Sequence, residues 1–181
     1  MGRCESQRRS YFLFHPSRLI IFTNNQIHNM QNSAVDILLV EDNPHEARLT
    51  ILSLTEHNLA ANLVHVDDGA DALDFVFARG AFAHRGGERN PKIILLDLNL
   101  PKVGGLEVLR QIRANASTRS IPIAILSSSK QDSDVQRGSE LGANSYIVKP
   151  VEFESFQKAV ADLGMYWLHL NESIHSFHTA T

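Results

Sequence analysis

Charged side chains follow three short apolar runs of the sequence, in a pattern that indicates chemistry on phosphoryl groups. The run in Lys92–Pro101 ends in Asp97, an earlier one ends in Glu41 and Asp42, and a later one ends in Lys149. Continuous apolar runs of this length are typical of strands buried on both faces of a parallel sheet. Because the carboxyl ends of parallel strands meet at one edge, we expect the three acids and the lysine to share a pocket there.

Such a pocket needs compensation for its negative charge, since a buried carboxylate must be paired, protonated or bound to a cation. Three clustered carboxylates repel one another, and a hard divalent cation with oxygen ligands, Mg²⁺ above all, relieves that repulsion. An aspartate neutralised in this way can attack a phosphoryl group. We therefore expect Asp97 to be the nucleophile, with Lys149 stabilising the transferring oxygens.

The rest of the pattern predicts the scaffold that positions these groups. Five apolar strands alternate with five helical segments, which indicates an α/β fold with a doubly wound five-stranded parallel sheet of order 2-1-3-4-5. Asn43 before Pro44 predicts the start of the first helix. Gly80–Asn90 is polar and predicts an exposed, mobile loop, whereas Gln131–Leu141 predicts a helix that buries little.

Two further residues need an interpretation. This scaffold would bring Ser127 near the pocket, and His65 could be mistaken for a metal ligand. Ser127 follows the fourth apolar strand at the same predicted edge as Asp97, so we interpret it as a functional hydroxyl, although a serine run is often only a turn. His65 lies in the second strand without partner ligands in the sequence. We interpret it as a structural histidine.

Taken together, these motifs resemble the receiver domains of two-component response regulators, over roughly Asp36 to Leu163. Glu41-Asp42 resembles the acidic pair of that family, Asp97 its phosphoacceptor, Ser127 its switch hydroxyl, Tyr146 its switch aromatic and Lys149 its lysine. The resemblance implies a flavodoxin-like sheet. The sequence Leu-Gly-Ala-Asn-Ser-Tyr ending at Tyr146 and the Tyr-Trp-Leu of the tail are similar to single-domain receivers associated with bacterial phytochromes.

Given this resemblance, the metal site can be specified further. We expect Mg²⁺ to be held by Asp42, Asp97 and the backbone carbonyl of Asn99, with Glu41 bound through a water molecule. Ser127 and Tyr146 are expected to form the readout, because the phosphate draws the hydroxyl inward and leaves space for the ring. An alternative is a phosphatase of the haloacid-dehalogenase type. Such an enzyme needs an acid two residues after its nucleophile, where this chain has Asn99.

Composition and charge limit the classes of function. The net charge is −3, and the first 30 residues carry four arginines and one glutamate, which leaves −6 for the remainder. A domain of that charge is unsuited to nucleic acid, and the apolar runs are too short to span a membrane. We expect residues 1–33 to be an extension, disordered or not native if Met30 is the initiator. We expect residues 34–163 to form the receiver domain and residues 164–181 to be a C-terminal extension.

These features predict a cytoplasmic signalling switch, not a turnover enzyme, that takes a phosphoryl group from a partner sensor histidine kinase onto Asp97. The resemblance suggests a phytochrome as that kinase and also admits a histidine phosphotransfer protein as a partner. The large apolar residues of Gly164–Leu170 need cover, either from their own core or from a second copy of the chain. We expect a homodimer through this segment, with an aromatic residue such as Trp167 at its centre.

Overall fold

A single sheet organises the protein in the computed structural model, which describes residues 11–15, 18–22, 35–86, 89–128, 131–149 and 152–170. Within these residues it has seven strands in the order β2-β1-β4-β3-β5-β6-β7. The strands are β1 Tyr11–His15, β2 Arg18–Phe22, β3 Ile37–Val40, β4 Leu63–Val66, β5 Ile93–Leu96, β6 Ile123–Ser127 and β7 Ser145–Val148. Strands β3 to β7 pair in parallel. When these five parallel strands are numbered among themselves, their order β4-β3-β5-β6-β7 is 2-1-3-4-5, which confirms the prediction.

The first two strands form an antiparallel hairpin that sequence analysis did not predict. Strand β1 pairs with β2 and also with β4, where Phe12 lies opposite His65 and Leu13 opposite Val64. Apolar, aromatic and β-branched residues favour such strands. The prediction that residues 1–33 are a disordered or non-native extension falls mostly outside the described residues.

Helices cover both faces of the parallel strands. The structure has α1 Pro44–Glu56, α2 Gly69–Val76, α3 Gly105–Ala114, α4 Asp132–Glu140 and α5 Phe153–Met165. Alternate residues of each central strand enter two separate cores, one packed against α2 and α3 and the other against α1 and α5. Strands β3 to β6 are consequently buried along their whole length, which explains their continuous apolar runs.

A local signal in the sequence sets the start of helix α1. The Asn43 side chain accepts a hydrogen bond from the His45 amide at 3.0 Å, and Pro44 occupies the first turn, as predicted.

Helix α4 buries only Gly138 among its residues and leaves Val135 exposed. The prediction of a helix with little buried surface is therefore confirmed.

The prediction of an exposed loop over Gly80–Asn90 was wrong for its first half. Gly80–Arg85 is a 3₁₀ helix in which Phe82 and Arg85 are buried. The Arg85 guanidinium lies 3.6 Å from the centre of the Phe75 ring and donates a hydrogen bond of 2.7 Å to the Phe75 carbonyl. It satisfies a carbonyl near the end of α2, a partnership between distant residues that local composition does not reveal.

Candidate phosphoryl-transfer site

Strand register places the predicted site residues at one edge of the sheet. Val40 and Leu96 are paired in the parallel ladder, so Glu41 and Asp97 leave neighbouring strands side by side. The Asp97 amide continues the ladder with a hydrogen bond of 3.0 Å to the Val40 carbonyl. On the other side, the Lys149 amide donates to the Ser127 carbonyl at 2.7 Å.

Three carboxylates meet at this edge, as the sequence predicted. Glu41, Asp42 and Asp97 each offer an oxygen atom, and these atoms lie within 4.8 Å of one another. Glu41 and Asp97 are buried, whereas Asp42 is exposed at the mouth of the site. Clustered carboxylate oxygens open to water on one side match the ligands and retained waters that Mg²⁺ prefers. The donor set therefore fits a hard divalent cation.

The predicted lysine joins the same cluster. Lys149 Nζ donates to Asp97 Oδ1 at 2.9 Å, and to Glu41 Oε2 and Glu46 Oε2 at 2.5 Å each. Burial by itself would lower the pKa of Lys149, but the hydrogen bonds from its ammonium group to Glu41 and Glu46 outweigh burial and raise the pKa. The ammonium group therefore stays charged beside the Asp97 carboxylate.

Sequence analysis missed Glu46. It lies in the first turn of α1, where its Oε1 accepts a hydrogen bond of 3.1 Å from Asn43 Nδ2 and its Oε2 binds Lys149. A signal was available, because a glutamate three residues after an N-cap occupies the capping-box position. That position lies beside the carboxyl end of β3, so the same residue that favours helix α1 also contributes charge to the site.

The surroundings of Glu41 shift the pKa of its carboxyl group strongly. Burial raises the pKa of its carboxyl group from 4.5 to about 7, although the hydrogen bond and charge of Lys149 act in the opposite direction. The neighbouring negative charges of Asp97 and Glu46 raise it further. Protons and a divalent cation should consequently compete for this site near neutral pH.

Both oxygen atoms of Asp97 have partners. Oδ1 faces Lys149, and Oδ2 accepts a hydrogen bond of 2.6 Å from the Asn99 backbone amide. The carboxylate is thus held in one orientation at the end of β5. Asn99, predicted as a metal ligand through its carbonyl, lies beside Asp97 in the loop that follows the strand.

Ser127 and Tyr146 lie on neighbouring strands at the side of the site. Ser127 is the fully buried last residue of β6. Tyr146 of β7 pairs with Ile125 of β6, and its half-buried ring lies next to Gly138 of α4. The geometry links the ring to the helix that buries least. The switch role of these two residues stays a prediction.

His65 is a structural residue, as predicted, and is not part of the acidic cluster. It is buried in β4, and its Nε2 donates a hydrogen bond of 2.8 Å to the backbone carbonyl of Glu41. Burial lowers the pKa of this imidazole. His65 therefore supports the backbone at the start of the site.

The comparisons with known proteins agree with this geometry. Residues 37–161 match the family model of the response regulator receiver domain. The chain is 39% identical to the probable methanogenesis regulatory protein FilR2 of Methanothrix harundinacea, over 76% of this chain and 86% of that protein. It is 35% identical to the response regulator Rcp1 of Synechocystis, over 73% of this chain and 88% of that protein.

Solved structures of response regulators are also similar to this chain. The bacteriophytochrome response regulator RtBRR is 50% identical with a TM-score of 0.64, covering 77% of this chain and 84% of that chain. The Mn²⁺-bound form of Rcp1 has 33% identity and a TM-score of 0.70, covering 76% and 97% of the two chains. No comparison supports the phosphatase alternative. An acidic pair, a strand-end aspartate and a lysine lie on one sheet edge, and the family model is matched over both cores. The chain therefore belongs to the response regulator receiver family of two-component signal transduction.

Proposed function

We propose that Asp97 accepts a phosphoryl group from the histidine of a partner sensor kinase. The carrying observation is the contact between Asp97 and Lys149, at 2.9 Å, inside a cluster of carboxylates at the carboxyl edge of a parallel sheet. Glu41 is also buried and also contacts the lysine, but Asp97 follows β5, the middle strand of the five parallel ones, and the lysine and the Asn99 amide hold one of its carboxylate oxygens each. These features suit a nucleophile held in a fixed direction.

The transfer breaks the bond between phosphorus and the histidine nitrogen and forms a bond to an Asp97 oxygen. Asp42, Asp97 and the Asn99 carbonyl would hold Mg²⁺, with Glu41 bound to one of its waters, and the ion supplies charge neutralisation for the phosphoryl oxygens. Lys149 exchanges its contacts with Glu41 and Glu46 for a phosphoryl oxygen. Catalysis by the chain is confined to its own phosphorylation and dephosphorylation, so it works as a switch.

Ser127 and Tyr146 transmit the state of Asp97. The phosphoryl group adds negative charge and acceptor oxygens next to β6, to which the Ser127 hydroxyl turns. Tyr146 then moves towards the space that the hydroxyl leaves, and its contact with α4 changes. Because α4 buries only Gly138, its displacement costs little packing.

The partners follow from this chemistry. A sensor histidine kinase supplies the phosphoryl group, and the similarity to the bacteriophytochrome response regulator RtBRR favours a phytochrome kinase in the cytoplasm. A histidine phosphotransfer protein is a further partner in the same exchange. The negative net charge argues against a nucleic acid partner. No helix among the described residues has both the length and the apolar character needed to cross a bilayer.

A homodimer through the C-terminal segment also belongs to this proposal, with one change from the sequence prediction. The π-helical turn Tyr166–Leu170 continues α5, and within it Trp167 and Leu168 pack partly against the protein's own core. Tyr166 and Leu170 are exposed. The centre of a contact between copies therefore lies at Tyr166, while Trp167 covers its own chain.

Incubation with acetyl phosphate and Mg²⁺, followed by intact-mass measurement, tests the proposed function. The wild-type protein should gain one phosphoryl group, and Asp97→Asn should gain none. Asp67→Asn is the matched control, because Asp67 also follows a parallel strand directly but lies outside the site. Labelling of Asp97→Asn at the wild-type level would refute the assignment, as would continuous release of phosphate without a modified protein.

A further inference from the structure

A strained turn lies in the loop that follows Asp97. Lys102 has φ +61°, and the Val103 amide donates a hydrogen bond of 2.7 Å to the Pro101 carbonyl across it. This combination defines a γ-turn with a left-handed central residue, which is rare and strained for a residue with a side chain. Glycine would adopt this backbone without penalty. A lysine at this position therefore needs a reason in its side chain.

The Lys102 side chain provides that reason by reaching a buried carboxylate on another element. Its Nζ pairs with Asp68 Oδ2, and the Asp68 side chain is only 4% exposed. The other oxygen of Asp68 accepts a hydrogen bond of 2.7 Å from the Asp71 amide and so caps the start of α2. Asp67 and Asp71 bring further negative charge to within 4.8 Å, which Lys102 offsets.

Backbone contacts fasten the same loop on both sides of Lys102. The loop packs so closely on the start of α2 that a Cβ added at Gly69 would lie 1.9 Å from the Val103 carbonyl oxygen. At its far end, the Gly105 amide donates to the Leu98 carbonyl at 3.0 Å, and a Cβ at Gly105 would lie 2.1 Å from the Asp97 carbonyl oxygen. The loop that holds Asn99 is thus fixed against a helix outside the site.

We propose that Lys102 and Asp68 are positioning residues that tie the loop after Asp97, residues 98–104, to α2 and thereby hold Asn99 and Asp97 in the geometry that binds the divalent cation. The inference rests on the proposed phosphoacceptor role of Asp97. Neither residue belongs to the acidic cluster of Glu41, Asp42 and Asp97, and their effect passes through the backbone. Strain in a loop beside a reactive group persists only where the surroundings impose it, and here the pair with Asp68 acts together with the backbone contacts on either side of Lys102.

The double variant Asp68→Asn/Lys102→Gly distinguishes an effect on the position of Asn99 and Asp97 from an effect on the stability of the fold. Asparagine caps a helix as well as aspartate does, glycine removes the backbone strain, and the buried charge of Asp68 is removed together with its partner. We expect its melting temperature to stay at or above the wild-type value. Its Mg²⁺ affinity, measured by calorimetry, should fall about tenfold, the low end for partners that orient metal ligands. The rate of labelling by acetyl phosphate should fall with it.

A second measurement needs neither metal nor phosphate. In the metal-free double variant, exchange of the Asn99 and Gly105 amide hydrogens should become about tenfold faster, since their hydrogen bonds to Asp97 and Leu98 open more often. Lys92→Met is the matched control. Lys92 precedes β5 as Lys102 follows it, has similar exposure, and pairs with Asp36 at 3.0 Å at the opposite edge of the sheet.

The outcomes distinguish this inference from the proposed function. A double variant that keeps wild-type Mg²⁺ affinity, labelling rate and amide exchange overturns the positioning role, even if the wild-type protein is phosphorylated on Asp97. An equal loss of affinity in Lys92→Met overturns it as well, because the effect would then be general. A wild-type protein that binds Mg²⁺ but is never phosphorylated refutes the proposed function alone, while affinity and amide exchange still decide the role of Lys102.

Discussion

Replacing Glu41 by glutamine should remove a pH-dependent loss of stability from the metal-free protein. Glu41 is only 2% exposed, and burial raises the pKa of its carboxyl group from 4.5 to about 7. The native state then binds this proton more tightly than the unfolded state does. The stabilisation is complete below pH 4.5 and is lost as the pH rises through about 7. Glutamine has the same shape and does not ionise.

The magnitude follows from the size of the shift. One pKa unit corresponds to about 1.4 kcal/mol, so the whole effect is about 3 kcal/mol, of which about 2.5 kcal/mol falls between pH 5 and pH 8. Urea unfolding in EDTA at these two pH values should show the free energy of unfolding of Glu41→Gln rising relative to the wild type by that amount. Contributions of the other titrating groups, including His65, cancel in the difference between the two proteins.

Glu46→Gln serves as the control for this experiment. It also removes a hydrogen bond of 2.5 Å to Lys149, but the Glu46 side chain is 38% exposed, so water solvates its charge. The charge of Glu46 is the smallest of the causes that shift the pKa of Glu41, so the stability difference between Glu46→Gln and the wild type should change much less between the two pH values than that of Glu41→Gln. A pH-independent difference between Glu41→Gln and the wild type would show that burial does not hold the proton on Glu41, and would refute the reasoning.

Three further predictions follow from the site and the C-terminal segment. Asp42→Ala should weaken Mg²⁺ binding at least tenfold in calorimetry, whereas Glu152→Ala, an exposed acid at the start of α5, should leave it unchanged; equal effects would argue against the metal site. Phosphorylation should shift amide resonances throughout Ser127–Val148, and changes confined to residues that touch Asp97 would contradict the switch. Tyr166→Glu should convert a dimer to a folded monomer in light scattering, and a wild-type protein that is monomeric at high micromolar concentration would disprove the dimer.

Some structural features depend on local patterns, and these were predictable. Apolar runs specified β3, β5 and β6 most clearly, because a strand covered on both faces carries few polar residues along its length. Parallel order then brings strand ends together, so Glu41, Asp97 and Lys149 could be placed in one site without coordinates. The start of α1 was equally readable from Asn43 and Pro44, since capping involves residues only a few positions apart.

Other features depend on contacts between residues far apart in the chain. Arg85 looked like part of a polar loop, yet it is buried because it satisfies a carbonyl of α2 and stacks on Phe75. Trp167 was predicted to face a second copy, but the continuation of α5 turns it partly onto its own core. In each case the partner, not the residue type, determines burial.

The difference is clearest in the loop that follows Asp97. The sequence by itself determined that Asp97 ends a central strand beside acids and a lysine, because strand order and residue type are enough to establish that. Only the tertiary structure decided that Lys102 pairs with Asp68 across 34 positions and that Glu46 joins Lys149 across 103. Side-chain pairs of such separation leave no periodic trace in a sequence, since they arise when two elements that are each specified locally pack against each other.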